Sequence, residues 1–80
     1  MTAIFEQLNE TIRFHGGVVS SVPGTWPMRY SIEPSAAEKL SKLLADAGWR
    51  PQSRGSTTQV GYAGLVDALV YEIGKPREAR

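Results

Sequence analysis

The sequence predicts a small α+β fold in which an N-terminal helix, a β-hairpin and a central helix are followed by a second helix or a second hairpin. Three observations predict this class. Apolar residues recur at helical spacing in residues 2–14 and again in residues 36–47. Apolar and polar residues alternate in residues 28–33, as in a strand with one buried face. Proline and glycine separate these stretches, so we expect one domain, 1–80, with 75–80 as a flexible tail.

The first two elements are an amphipathic helix and a hairpin. The helix is predicted over residues 2–14, and its apolar stripe consists of Ile4, Phe5, Leu8 and Ile12. Gly16 and Gly17 follow this stretch and end the helix. Two β-prone runs come next, Val18–Val22 and Met28–Glu33, with a Pro-Gly-Thr-Trp-Pro loop between them. This order predicts an antiparallel hairpin.

The central helix has predicted start and stop signals. Ser35 stands three residues before Glu38, which is the spacing of a capping box, so Ser35 is predicted to cap the helix. Leucine and alanine form its apolar stripe: Leu40, Leu43, Leu44 and Ala47. Gly48 is expected to end the helix in a left-handed conformation, with Trp49 folded back on the last turn.

The C-terminal part of the chain allows two interpretations. Residues 49–59 are polar, contain proline and glycine, and are predicted to be a connector, with a weaker capping box formed by Ser56 and Gln59. Apolar residues in 65–73 fit a helical stripe, and a helix is the preferred prediction there. The alternative is a hairpin that joins Thr57–Tyr62 to Asp67–Ile73, because valine, tyrosine and isoleucine favour strands.

Composition and motifs argue against catalysis, and we expect a protein that is not an enzyme, with no metal and no cofactor. The chain has one histidine, His15, and no cysteine, so it offers neither a metal-ligand cluster nor a thiolate. The glycine pair after residue 15 lacks the lysine of a phosphate-binding loop. No apolar run approaches the roughly 20 residues that span a bilayer. Glu6 and Glu10 near the start do not fit a secretory signal, so we expect no membrane partner and a cytoplasmic location, in a protein of bacterial or phage type.

The function predicted from these residues is that of a small regulatory or inhibitor protein that binds a larger protein. The net charge of +1 is close to neutral, and tryptophan and arginine dominate the binding energy of protein interfaces. The predicted partner-binding residues are therefore Trp26, Arg29, Trp49, Arg50 and Arg54. The competing interpretation is that both indoles only cover the edges of a small core. A homodimer is a second way in which so short a chain gains buried surface.

The alternative function is DNA binding. A strand, a helix and a second helix over residues 28–73 resemble a ribbon-helix-helix repressor in the order of their elements. The resemblance implies a dimer whose paired strands enter the major groove, with Arg29, Ser31 and Glu33 facing the bases. It also implies that Ser56 and Thr57, at the start of the second helix, face a phosphate. A winged-helix arrangement is the corresponding DNA-binding variant if 57–73 is a hairpin.

Overall fold

The computed structural model of the chain describes residues 2–61 and 63–75, with side chains from residue 4 onward. Its elements are α1 (Thr2–Phe14), β1 (Val18–Val19), β2 (Met28–Ile32), α2 (Pro34–Asp46), β3 (Gln52–Gly61) and β4 (Gly64–Ile73). The two helices and the four-stranded antiparallel sheet of this part of the chain confirm the α+β class. The predicted flexible tail, 75–80, lies outside the described residues except for Lys75.

The sheet has the strand order β1-β2-β4-β3, so β4 lies in its interior and β3 at one edge. Met28 lies opposite Ile73, and Tyr30 lies opposite Tyr71, so their side chains share one face of the sheet. This face meets the apolar stripes of both helices in one buried core, to which the helices contribute Phe5, Leu8, Ile12, Ala37, Leu40 and Leu44. Both helices therefore pack on the same face of the sheet, and neither covers the opposite face.

The predicted N-terminal hairpin is present, but its strands are shorter than expected. β1 ends at Val19 rather than Val22, because the Oγ of Ser21 accepts a hydrogen bond from the backbone N–H of Arg29 at 3.2 Å. The N–H of Ser20 still donates to the carbonyl of Arg29 at 2.9 Å, but the N–H of Arg29 binds a side chain instead of a backbone carbonyl. β2 ends at Ile32 rather than Glu33, because Glu33 is the N-cap residue of α2.

The predicted capping box at the start of α2 is wrong. The helix begins at Pro34, and no side chain makes a capping hydrogen bond to its first turn. Proline has a fixed φ that suits the first helical position, so the helix starts at Pro34, two residues earlier than predicted, and Ser35 falls inside it. The predicted C-terminal end is correct: Gly48 has a φ of 94°, and the N–H of Trp49 donates to the carbonyl of Leu44 at 2.8 Å.

The preferred C-terminal helix is also wrong, and so is the connector before it. Residues 52–61 and 64–73 form the strands β3 and β4, which pair with each other over nearly their whole length. Ser56 and Gln59 lie within β3 and form no capping box. The alternative hairpin is what forms, with a first strand that starts earlier than predicted, at Gln52. The second helix of the ribbon-helix-helix arrangement is therefore absent from the described part of residues 28–73.

Candidate functional site

The candidate site is the face of the sheet turned away from the helices, which we call the open face. Strand register defines it: Arg29 lies opposite Glu72, and Ser31 lies opposite Val70. Between β3 and β4, Gln52 lies opposite Glu72, and Gln59 lies opposite Val66. Because alternate side chains of a strand point to opposite faces, all of these residues share the face that the helices leave uncovered.

One carboxylate on the open face binds two guanidinium groups. The Nε of Arg29 donates to Glu72 Oε2 at 3.0 Å, and the Nε of Arg54 donates to Glu72 Oε1 at 2.9 Å. Arg54 also donates from Nη2 to Oε1 of Gln52 at 3.0 Å. The network therefore connects all three long strands of the sheet, because Arg29 is in β2, Glu72 in β4 and Arg54 in β3.

The network leaves an excess of positive charge at the surface. The Glu72 side chain is only 13% exposed, whereas the side chains of Arg29 and Arg54 remain 57% and 49% exposed. The hydrogen bond from Arg29, and then that from Arg54, hold the pKa of the Glu72 carboxyl below its ordinary value. Glu72 is thus ionised at neutral pH, and its single negative charge is shared by two arginines. The network therefore carries a net charge of one positive unit at the surface.

A groove with a volume of about 770 Å³ runs across the open face beside these arginines. Ser31 and Val70, on the two inner strands, line its middle, while Val18 of β1 and Thr57 of β3 lie toward its sides. At the end away from the arginines, the Oγ of Ser31 and the Oε1 of Gln59 are 2.8 Å apart in a hydrogen bond. The lining therefore combines hydroxyl and amide groups with aliphatic side chains, the usual mixture of a binding surface.

The two predicted tryptophans lie together on the helical side of the sheet. Trp26 and Trp49 stack with ring centroids 6.1 Å apart and an interplanar angle of 14°. Phe5 of α1 contacts Trp26 edge to face, with centroids 5.4 Å apart. Both indoles are partly buried and pack against the core. Both indoles therefore cover the edge of the core, and each keeps some exposed surface.

Arg50 is separate from the other two predicted arginines. It is exposed and lines a second cleft, of about 640 Å³, together with Trp49, Gln52 and Lys75. Gln52 also accepts the hydrogen bond from Arg54, so this cleft adjoins the arginine network at the same end of the sheet. The structure thus brings Arg29 and Arg54 together, brings Trp26 and Trp49 together, and places Arg50 in the cleft that Trp49 and Gln52 also line.

No protein-family model matches the chain, no curated protein is significantly similar to it, and no solved structure matches it. Within residues 2–61 and 63–75, no three His, Cys, Asp or Glu side chains are grouped so that they could hold a metal ion. Neither α1 nor α2 is long and apolar enough to cross a membrane.

Sequence reasoning missed the acceptors of the site. Glu72, Gln52 and Gln59 were not predicted to take part, although they bind Arg29, Arg54 and Ser31. One signal was available: if residues 67–73 are read as a strand, Glu72 is a charged residue on the same face as Val70. The helical interpretation of this segment hid that signal.

Proposed function

We propose that this chain is a small, non-enzymatic regulatory or inhibitor protein that acts by binding a larger protein, and that the open face makes the central contact. The observation that carries this proposal is the pairing of Arg29 and Arg54 with a single carboxylate, Glu72, on a sheet face that neither helix covers. Both guanidinium groups keep about half of their surface exposed.

The chemistry of this face favours a partner that presents a carboxylate. Arginine binds carboxylates with paired N–H donors, and its geometry here is already fixed by Glu72. Fixing the side chain in advance lowers the entropic cost of binding. We therefore propose that an acidic side chain of the partner bridges Arg29 and Arg54, while neighbouring residues of the partner fill the groove over Ser31 and Val70.

The remaining predicted residues form the second part of the proposed contact. Arg50 is exposed beside Trp49, and both Trp49 and Trp26 are only partly buried. These three residues lie at the same end of the sheet as the arginine network, to which Gln52 connects them. A partner that covers this end would reach both parts, and aromatic and arginine side chains are the usual hot spots of such an interface.

The test is capture of the partner from a nuclease-treated host lysate on the immobilised chain, followed by affinity measurements with the purified partner. Arg29→Ala and Arg54→Ala are each expected to weaken binding by about tenfold or more, as hot-spot truncations do. Arg13→Ala removes an exposed arginine from the last turn of α1 and is the matched control. Trp26→Phe and Trp49→Phe test whether the two indoles contribute to binding, and each keeps an aromatic ring packed at the edge of the core.

Two results would contradict the proposal. One is unchanged affinity for a partner when both Arg29 and Arg54 are replaced and the fold is intact. The other is retention of duplex DNA at low salt with steep release as salt rises, which marks several phosphate contacts and would favour the DNA-binding alternative.

A further inference from the structure

The two edges of the sheet differ greatly in length. One edge strand, β1, has 2 residues, whereas the other, β3, has 10. All residues of β3 except Gln59 and Gly61 are exposed. A long exposed edge presents a row of backbone N–H and C=O groups that is ready to pair with another strand.

Only the first part of β3 carries a feature that discourages such pairing. The register with β4 shifts between Ser53 and Ser56, and Gly55 within this irregularity has a φ of 99°. A bulge of this kind, with the charge of Arg54 beside it, protects an edge. From Ser56 to Gly61 the strand contains neither a charge nor a proline, and its pairing with β4 is regular.

We propose that residues 56–60 of β3 pair antiparallel with the same residues of a second copy of this chain. A two-fold axis at Thr58 places Thr58 opposite its counterpart, Thr57 opposite Gln59, and Ser56 opposite Val60. Every such pair is uncharged, and threonine and valine favour strands. Val60, which is 80% exposed in the single chain, gains a direct cross-strand neighbour.

The second copy is favoured over an unrelated strand by closure and by self-complementarity. Pairing β3 with β3 uses the long edge of both copies and leaves only the two-residue β1 strands at the ends, so the assembly closes as a dimer. Pairing β3 with β1 of another copy would leave a free long edge at every step. The short β1 also offers few backbone groups to a partner.

The proposed dimer keeps both open faces on one side. A two-fold axis perpendicular to the sheet preserves which face is which, so the helices of both copies lie on one side and the two grooves on the other. The result is a continuous eight-stranded sheet with two arginine networks on the same surface. This inference goes beyond the proposed function, since it concerns how the chain pairs with itself.

Two double variants of the full chain test this pairing with matched chemistry. Ser56→Lys with Val60→Lys places lysine opposite lysine across the two-fold axis, whereas Ser56→Lys with Val60→Glu places lysine opposite glutamate. Both variants lose the valine, and both positions lie directly opposite leucine in β4, where Asp67, opposite Thr58, is a diagonal neighbour of each. Gln7→Lys with Ser35→Lys, at exposed helical positions, controls for added net charge.

Sedimentation equilibrium should give twice the 8.8 kDa chain mass for the wild type, the lysine–glutamate variant and the helical control. The lysine–lysine variant should sediment as a monomer with an unchanged circular dichroism spectrum. A wild type that stays monomeric at about 1 mM, which corresponds to a pairing free energy weaker than about 4 kcal/mol, overturns the inference. So does a lysine–lysine variant that dimerises as well as the lysine–glutamate variant. Neither result depends on the larger partner, so this test fails or succeeds independently of the proposed function.

Discussion

At the scale of single residues, Tyr30 is unusual among the core residues because it buries a hydroxyl group. Its side chain is fully buried, and its hydroxyl has no hydrogen-bond partner among the described residues. Burial, with a smaller contribution from the neighbouring Tyr71, raises the pKa of this phenol above its ordinary value. The two rings stack with centroids 5.6 Å apart. Tyr30 therefore contributes apolar packing, while its hydroxyl loses the hydrogen bonds that it makes with water in the unfolded chain.

Replacing Tyr30 with phenylalanine should stabilise the protein. The ring and its stacking on Tyr71 are kept, and the buried unpaired hydroxyl, which costs about 1 kcal/mol or more, is removed. Chemical denaturation at neutral pH should show the higher free energy of unfolding for Tyr30→Phe. Tyr71→Phe is the matched control, because Tyr71 is only partly buried, and its effect should stay within about 0.5 kcal/mol.

The difference in stability between Tyr30→Phe and the wild type should grow at alkaline pH. Because the folded pKa of Tyr30 lies above its ordinary value of about 10, the wild type keeps its full stability below that pH and loses stability as pH rises beyond it. The advantage of Tyr30→Phe should therefore widen between about pH 9 and about pH 11. A variant that is less stable than wild type at neutral pH would show that the hydroxyl has a partner.

At the scale of elements, Glu72 holds three strands together. Glu72 lies in β4, between β2 and β3, and forms ion pairs with Arg29 of β2 and Arg54 of β3. Because its folded pKa is depressed, its contribution to stability is present above its ordinary pKa and is lost as pH falls through the lower folded value.

Glu72→Gln should consequently destabilise the sheet in a pH-dependent way. At about pH 7 the variant should unfold at lower denaturant than wild type, and by about pH 3 the two curves should approach each other. Measuring both proteins in about 1 M salt provides the control, since screening should shrink the neutral-pH difference. A difference that does not change with pH would mean that Glu72 acts through packing and not through its charge.

The elements differ in how far their sequence determines them. Both helices follow from local patterns, because each has one apolar stripe and residues that stop it, such as Gly48. Residues 65–73 do not, because Leu65, Leu69 and Ile73 recur every four residues yet become a strand. β4 pairs with β2 on one side and β3 on the other, and this non-local pairing outweighs the helical period. Gly64, with a φ of 126°, begins β4 in a backbone conformation that glycine adopts readily.

The candidate site likewise combines features that the local sequence predicts with features that depend on non-local strand pairing. Arg29 and Arg54 were identified from residue type alone, and they meet on one face. Their proximity could not be predicted, because residues 29 and 54 meet only through Glu72, and that contact depends on the register of three strands. Trp26 and Trp49 were predicted individually, and their stacking likewise depends on how the 23–27 loop packs against the end of α2.

At the scale of the whole molecule, the chain has two unlike sides. One side of the sheet carries both helices and the hydrophobic core. The other carries the groove and the two arginines that share one carboxylate. An antiparallel sheet is stable with one face on the core and the other in water. The folded chain therefore does not require the open face to be covered, and we propose that a partner protein covers it.

An NMR titration of the isotope-labelled full chain with its captured partner tests whether the open face is the binding surface. We expect the largest chemical-shift changes at the Nε–H groups of Arg29 and Arg54 and at the amides of Ser31 and Val70. The outward positions of the helices, such as Gln7 and Lys42, should change little. Changes confined to α1 and α2, with the signals of Arg29 and Arg54 unmoved at saturation, would contradict it.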